Sequence, residues 1–199
     1  VAFSLALGIA GTSLEVAEVC RAAMTTLERD GIDVIEAHPD LSEAALAFDV
    51  PRALLYAMNL GDDLPQTRDI LKPELVWNVE QGLELEASTI RDSLAAQGRV
   101  FGAAAAFMAD FDLLICPAAI TPPFPIEERY LGFGDGVPAS EYYRWLGIVS
   151  AVTATTLPVI TIPCGRTANG LPIGIQLIGR PHGELTLFAM AAHLEAIFE

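Results

Sequence analysis

The chain has 199 residues, room for one domain or for part of a larger one, and 52% of them are apolar, too many for a disordered chain. Its 26 acidic and 11 basic residues give a net charge of −15, a field that repels phosphate backbones and anionic membrane surfaces. These numbers speak against nucleic-acid and membrane partners, and no run of about 18 apolar residues is present to span a bilayer as a helix.

The closest approach to such a run, residues 101–120, is interrupted by Asp110 and Asp112 and ended by Pro117. The first residues lack the basic flank of a signal peptide. The three cysteines, Cys20, Cys116 and Cys164, are odd in number, widely spaced and set among apolar neighbours. They read as buried free thiols of a protein in the reducing cytoplasm.

In chain order, Val1 to Leu5 reads as a strand from its first residue, as though cut from something longer. Thr12 is placed to cap a helix, with Glu15 as its capping-box partner. Val16, Val19, Cys20, Ala23, Met24 and Leu27 then follow at helical spacing, and Gly31 is placed to end the helix. Residues 32–37 read as a second strand, which makes a βαβ unit with parallel strands. Residues 41–63 are helical in tendency, with Pro51 breaking the run or starting a second helix. Residues 65–73 read as a polar connection. Residues 74–81 and 85–109 are helical again, with Gly82 as the junction, and lead into an apolar strand at 113–116.

Residues 117–138 change character, with five prolines and three glycines around Phe124, Tyr130 and Phe133. The aromatics favour an ordered loop, and long ordered loops are often functional. Residues 140–155 read as a helix capped by Ser140. Strands at 159–162 and 173–178, joined across residues 165–171 with a turn at Asn169-Gly170, read as a hairpin. Residues 184–198 close the chain as an amphipathic helix. The fold class is α/β, a mixed and largely buried sheet flanked by helices.

A self-sufficient catalytic constellation is missing from the sequence. No Gly-x-Ser-x-Gly elbow occurs, and the seven serines are scattered. His38 ends a strand before Pro39, His182 sits in the turn Arg180-Pro181-His182-Gly183 and His193 lies in the last helix, and a Cys–His pair formed in three dimensions stays open. Cys116 and Cys164 end apolar strands, as structural thiols do. There is no metal-ligand motif of the C-x-x-C or H-E-x-x-H kind, and no cofactor fingerprint. Lys72 is the only lysine. A lysine base must lose its proton near neutrality, a shift of about three units that demands burial or nearby cations. Lys72 precedes Pro73 in a polar connection that promises neither.

From Phe111 onward the sequence resembles the amidase signature family. Asp112-Leu113-Leu114-Ile115-Cys116-Pro117-Ala118 is similar to that family's strand before a Pro-rich active-site loop. Leu157-Pro158-Val159-Ile160-Thr161-Ile162-Pro163-Cys164-Gly165 is similar to its next strand. Gly170-Leu171-Pro172-Ile173-Gly174-Ile175-Gln176-Leu177-Ile178-Gly179-Arg180 is similar to the partner strand. Gly183-Glu184 and the final helix with Glu195 complete the pattern. The first 110 residues match more loosely. One departure is visible: Thr156 stands where the family usually has a glycine before the Leu-Pro pair.

The resemblance implies hydrolysis of carboxamide C–N bonds through a serine acyl-enzyme. In that mechanism a lysine deprotonates a bridging serine held in a cis peptide. The bridging serine takes the nucleophile's proton as it attacks. Backbone N–H groups stabilise the oxyanion, and water releases the acid. Those parts belong to a Gly/Ser-rich segment that lies N-terminal to everything here, so residues 1–199 correspond to the C-terminal portion of the domain and no catalytic residue carries over. The expected partners are a small-molecule amide in the complete enzyme and the chain's own N-terminal half. Without that half, exposed apolar surface would drive self-association, for which a homo-oligomer is one form. Two other readings stand beside this one, a non-catalytic scaffold half of a split protein and the glutamyl-tRNA amidotransferase branch of the same family. Residues 117–145 are expected to wall the substrate pocket, with Phe124, Tyr130 and Trp145 as its aromatic lining. Ordinary packing of the loop on the helices is the competing role for these rings.

Overall fold

Strand β1 (Ala2–Phe3), helix α1 (Leu14–Arg29) and strand β2 (Ile35–Glu36) form the expected βαβ unit, and β1 pairs in parallel with β2, Ala2 opposite Ile35. The computed structural model describes residues 1–9, 11–128 and 143–198. Both strands are shorter than the apolar runs that announce them. The cap of α1 is Ser13, whose Oγ accepts from the Val16 N–H. Thr12 instead donates its hydroxyl to the Leu5 carbonyl, so the capping box with Glu15 does not form as expected. Gly31 ends α1 with a φ of 89°. Its N–H reaches the Glu28 carbonyl and the Ile32 N–H reaches Leu27, the paired bonds of a Schellman motif.

Helices α2 (Ala44–Leu60), α3 (Leu64–Thr67), α4 (Pro73–Leu83) and α5 (Ala87–Phe107) follow. Helix α2 runs through Pro51 without the expected break, and α3 occupies part of the expected polar connection. Gly82 lies inside α4 and is no junction. A Cβ there would stand 2.1 Å from the Ala53 carbonyl oxygen of α2, so only glycine permits this approach of the two helices. Strand β3 (Leu114–Pro117), a 3₁₀ turn (Arg144–Leu146), helix α6 (Gly147–Ala154), strands β4 (Val159–Arg166) and β5 (Pro172–Ile178) and helix α7 (Glu184–Phe198) complete the described chain. Ser140, the expected helix cap, lies outside the described residues. β4 is longer than expected and bulges between Pro163 and Gly165, which shortens the hairpin connection.

The sheet order is β2-β1-β3-β5-β4, with β3 parallel to β1 and antiparallel to β5. Alternate residues of each central strand feed two cores, as the two-residue period of a strand requires. Ala2, Leu114, Cys116 and Ile178 join α2, α5 and α6 on one face. Phe3, Ile115, Ile175 and Leu177 join α1 and α7 on the other. The result is three layers, helix on sheet on helix, with the central strands buried and the edge strands β2 and β4 partly exposed. Helix α7 is less amphipathic than expected. Leu187, Ala191 and Leu194 pack inward, while Leu185 and Phe188 stand 88% and 62% exposed.

Candidate functional site

The order of the sheet sets where a site can form. From β1 the chain crosses to β2 on one side and then returns past β1 to β3 on the other. The boundary between β1 and β3 is therefore the switch point, and ligands of open α/β sheets bind beyond the carboxyl ends of the strands at such a point. Three loops meet there. Leu7 and Gly8 turn sharply after β1, with φ values of 49° and 70°. The Ser4 hydroxyl accepts from the Leu7 N–H at 2.9 Å and holds that turn. A Cβ on Gly8 would lie 2.8 Å from the His38 ring, so this loop is pressed against the one after β2. The Ser13 N–H donates to the Ile120 carbonyl at 2.8 Å and fastens it to the loop after β3.

Two hollows open at this end of the sheet. The larger has a volume of about 640 Å³, within the range of ligand cavities. It is lined by Gly8 and Ile9 after β1, by Leu41, Ser42 and Asp49, and by Tyr143, Gly147 and Ser150. Gly147, Ser150 and Ala151 share one face of α6, and their small side chains leave the space open. The second hollow, about 250 Å³, is lined by Ala118, Pro122, Phe124, Trp145 and Gly174. The Phe124 and Trp145 rings meet edge to face, 5.8 Å between centroids and 85° between planes. The short stretch from Tyr143 to Gly147 divides the two, Tyr143 and Gly147 facing the larger and Trp145 the smaller. Of the three aromatic positions singled out from sequence, Phe124 and Trp145 are thus brought together, and Tyr130 lies outside the described residues. A further recess of about 250 Å³ beside Arg180 and Asp112 sits at the opposite end of β3.

The titratable groups give little independent chemistry. Cys116 is fully buried, and burial pushes its thiol up to about 12, so it is no thiolate at neutral pH. The Cys164 thiol and burial also push Cys20 well up. All three cysteines are buried and free. Lys72 is exposed at the start of α4, and His38, His182 and His193 are exposed at three separate places. Among the described residues, no group of three His, Cys, Asp or Glu side chains is suited to hold a metal ion. No described helix is long and apolar enough to cross a membrane.

The Amidase family profile matches residues 1–188. The chain belongs to the amidase family. This amidase chain is 25% identical over 207 aligned positions to an acylamidase of Rhodococcus erythropolis, covering 99% of this chain and 42% of that protein. It is 38% identical over 91 residues to a glutamyl-tRNA(Gln) amidotransferase polypeptide of Xanthobacter autotrophicus, covering 45% of this chain and 17% of that one. Among solved structures, an amidase superposes with a TM-score of 0.86 at 18% identity, over 100% of this chain and 46% of that one. A 6-aminohexanoate cyclic dimer hydrolase complexed with substrate superposes at 0.81 with 20% identity, over 99% and 44%. The fold is that of the amidase signature enzymes. The amidase chain spans less than half the length of these relatives.

Tyr143 falls within the expected wall at residues 117–145, but the sequence does not single out the other side chains of the larger hollow. Leu41, Ser42 and Asp49 belong to an ordinary helical pattern, and Ser150 lies mid-helix. Only the order of the strands gathers them, and that order is not written in local spacing.

Proposed function

We propose that this chain is the C-terminal part of an amidase that cleaves carboxamide C–N bonds through a serine acyl-enzyme. The serine nucleophile, bridging serine and lysine base come from polypeptide outside these 199 residues. This chain supplies part of the sheet, its covering helices and the hollows at the carboxyl ends of β1 and β3. The amide lies in the larger hollow, and Phe124 and Trp145 line the smaller hollow beside it. One observation carries this reading. The match to an acylamidase extends over 99% of the chain, yet takes up only 42% of that enzyme. The free buried thiols accord with a reducing, cytoplasmic setting.

The amidotransferase branch has the higher identity, but over 45% of the chain. The charge of −15 also weighs against direct contact with tRNA. A purely scaffolding role leaves the hollows without a purpose.

The test is reconstitution. The chain alone should not hydrolyse aryl or aliphatic amides, and joined to an amidase N-terminal half it should. In the reconstituted enzyme, Phe124→Ala and Trp145→Ala should change the kcat/KM ratio between bulky and small amides by about tenfold, the effect of 1.4 kcal/mol of lost contact. Serine-dependent turnover by the chain alone would sink the proposal. Turnover that requires a glutamyl-tRNA acceptor would select the other branch.

A further inference from the structure

Arg52 lies on α2 one turn after Phe48 and one turn before Tyr56, so the three share a face of the helix. Its guanidinium stands 6.0 Å from the Phe48 ring and 5.8 Å from the Tyr56 ring, but 4.0 Å from the Tyr143 ring. The last is a stacking distance for a guanidinium on an aromatic face. Tyr143 precedes the 3₁₀ turn and belongs to no helix or strand of its own. Its ring also meets Trp77 of α4, 6.4 Å between centroids at 36°. Arg52 and Trp77 reach the same ring because α2 and α4 approach so closely at Ala53 and Gly82. Beyond Tyr143 lies the larger hollow. The contact therefore joins α2, which lines the hollow through Asp49, and α4, which does not, to the Tyr143 wall.

We propose that Arg52 is a positioning residue that fixes the Tyr143 wall of the larger hollow, and so sets which amides fit without touching them. This rests on the reading of that hollow as the substrate cavity. A cation held against a ring favours one placement of that ring over its alternatives. Lysine, a compact charge without a planar face, preserves the attraction and loses the stacking.

The experiment is a double-mutant cycle in the reconstituted amidase, with Arg52→Gln, Tyr143→Ala and the pair, and Arg52→Lys beside them. Each is assayed on a bulky and a small amide, with Tm measured in parallel. Arg52→Gln should raise KM for the bulky amide by about three- to tenfold, the scale of one cation–π contact, with kcat on the small amide unchanged. Arg52→Lys should recover part of the loss. The double variant should be no worse than Tyr143→Ala alone, because both act through one ring. If Tyr143→Ala shifts the substrate ratio and Arg52→Gln does not, the positioning role is overturned and the cavity stands. If neither shifts it, both are overturned. If Arg52→Gln lowers Tm and leaves the ratio alone, or if the two losses add, Arg52 is only a packing residue.

Discussion

Thr156 has a φ of 55°, in the left-handed region. That conformation costs an L-residue about 1–2 kcal/mol, and a β-branched side chain fits it poorly. The amidase pattern usually has a glycine at this position, and the backbone supplies the physical reason. Thr156→Gly should therefore stabilise the protein. After allowance for the greater chain entropy of glycine, the gain should be about 0.5–1 kcal/mol. That corresponds to a rise in Tm of about 1–4 °C for a chain of this size. Gly82 is the opposite case. Its φ needs no glycine, but a Cβ would sit 2.1 Å from the Ala53 carbonyl oxygen and 2.7 Å from the Ala57 Cβ. Gly82→Ala should cost about 1–3 kcal/mol through forced separation of α2 and α4. Melting the two variants beside the parent checks both signs. A destabilising Thr156→Gly would mean that the threonine side chain contributes more than its backbone strain removes.

At the scale of elements, the sequence was most legible where one local rule suffices. Helix α1 follows from its spacing and its terminal glycine, and β3, β5 and α7 follow from apolar runs with clear ends. Legibility failed where tertiary contact decides. Pro51 is tolerated inside α2, and Gly82 continues α4 because its neighbour needs the room. The end of β5 shows a tie that no local pattern announces. Arg180 Nε donates to the Met108 and Phe111 carbonyls at 3.0 and 3.2 Å, and its Nη2 reaches Asp112 at 3.1 Å. One fork thus closes the turn between α5 and β3 and fastens it to β5. The carbonyl bonds should matter more than the ion pair, since both charged side chains are at least half exposed. Arg180→Lys cannot reproduce the fork and should lose about 1 kcal/mol. Asp112→Asn should cost only a few tenths, in line with an exposed ion pair. Denaturant unfolding of both variants measures the order, and an equal loss from each would contradict it.

At the scale of the molecule, the charge of −15 has a consequence for the proposed amide hydrolysis. The chain as a whole carries this surplus of carboxylates, and Asp49 lines the larger hollow itself. Low-dielectric walls focus such a field into a cleft. An anionic amide approaching the hollow meets repulsion, and a cationic one meets attraction. The effect acts on encounter more than on the chemical step, so it should appear in kcat/KM and leave kcat nearly constant. Because the Debye length falls from about 10 Å at 0.1 M salt to about 3 Å at 1 M, salt should erase it. Three amides of one shape, bearing an ammonium, a neutral group and a carboxylate remote from the scissile bond, provide the measurement. In the reconstituted enzyme at low salt, kcat/KM should fall in that order. The spread should narrow severalfold by about 1 M salt, where only contacts within the cavity remain unscreened. A preference for the carboxylate that persists at high salt would place a fixed cation against the substrate. The field of this half would then not govern which amides the enzyme takes.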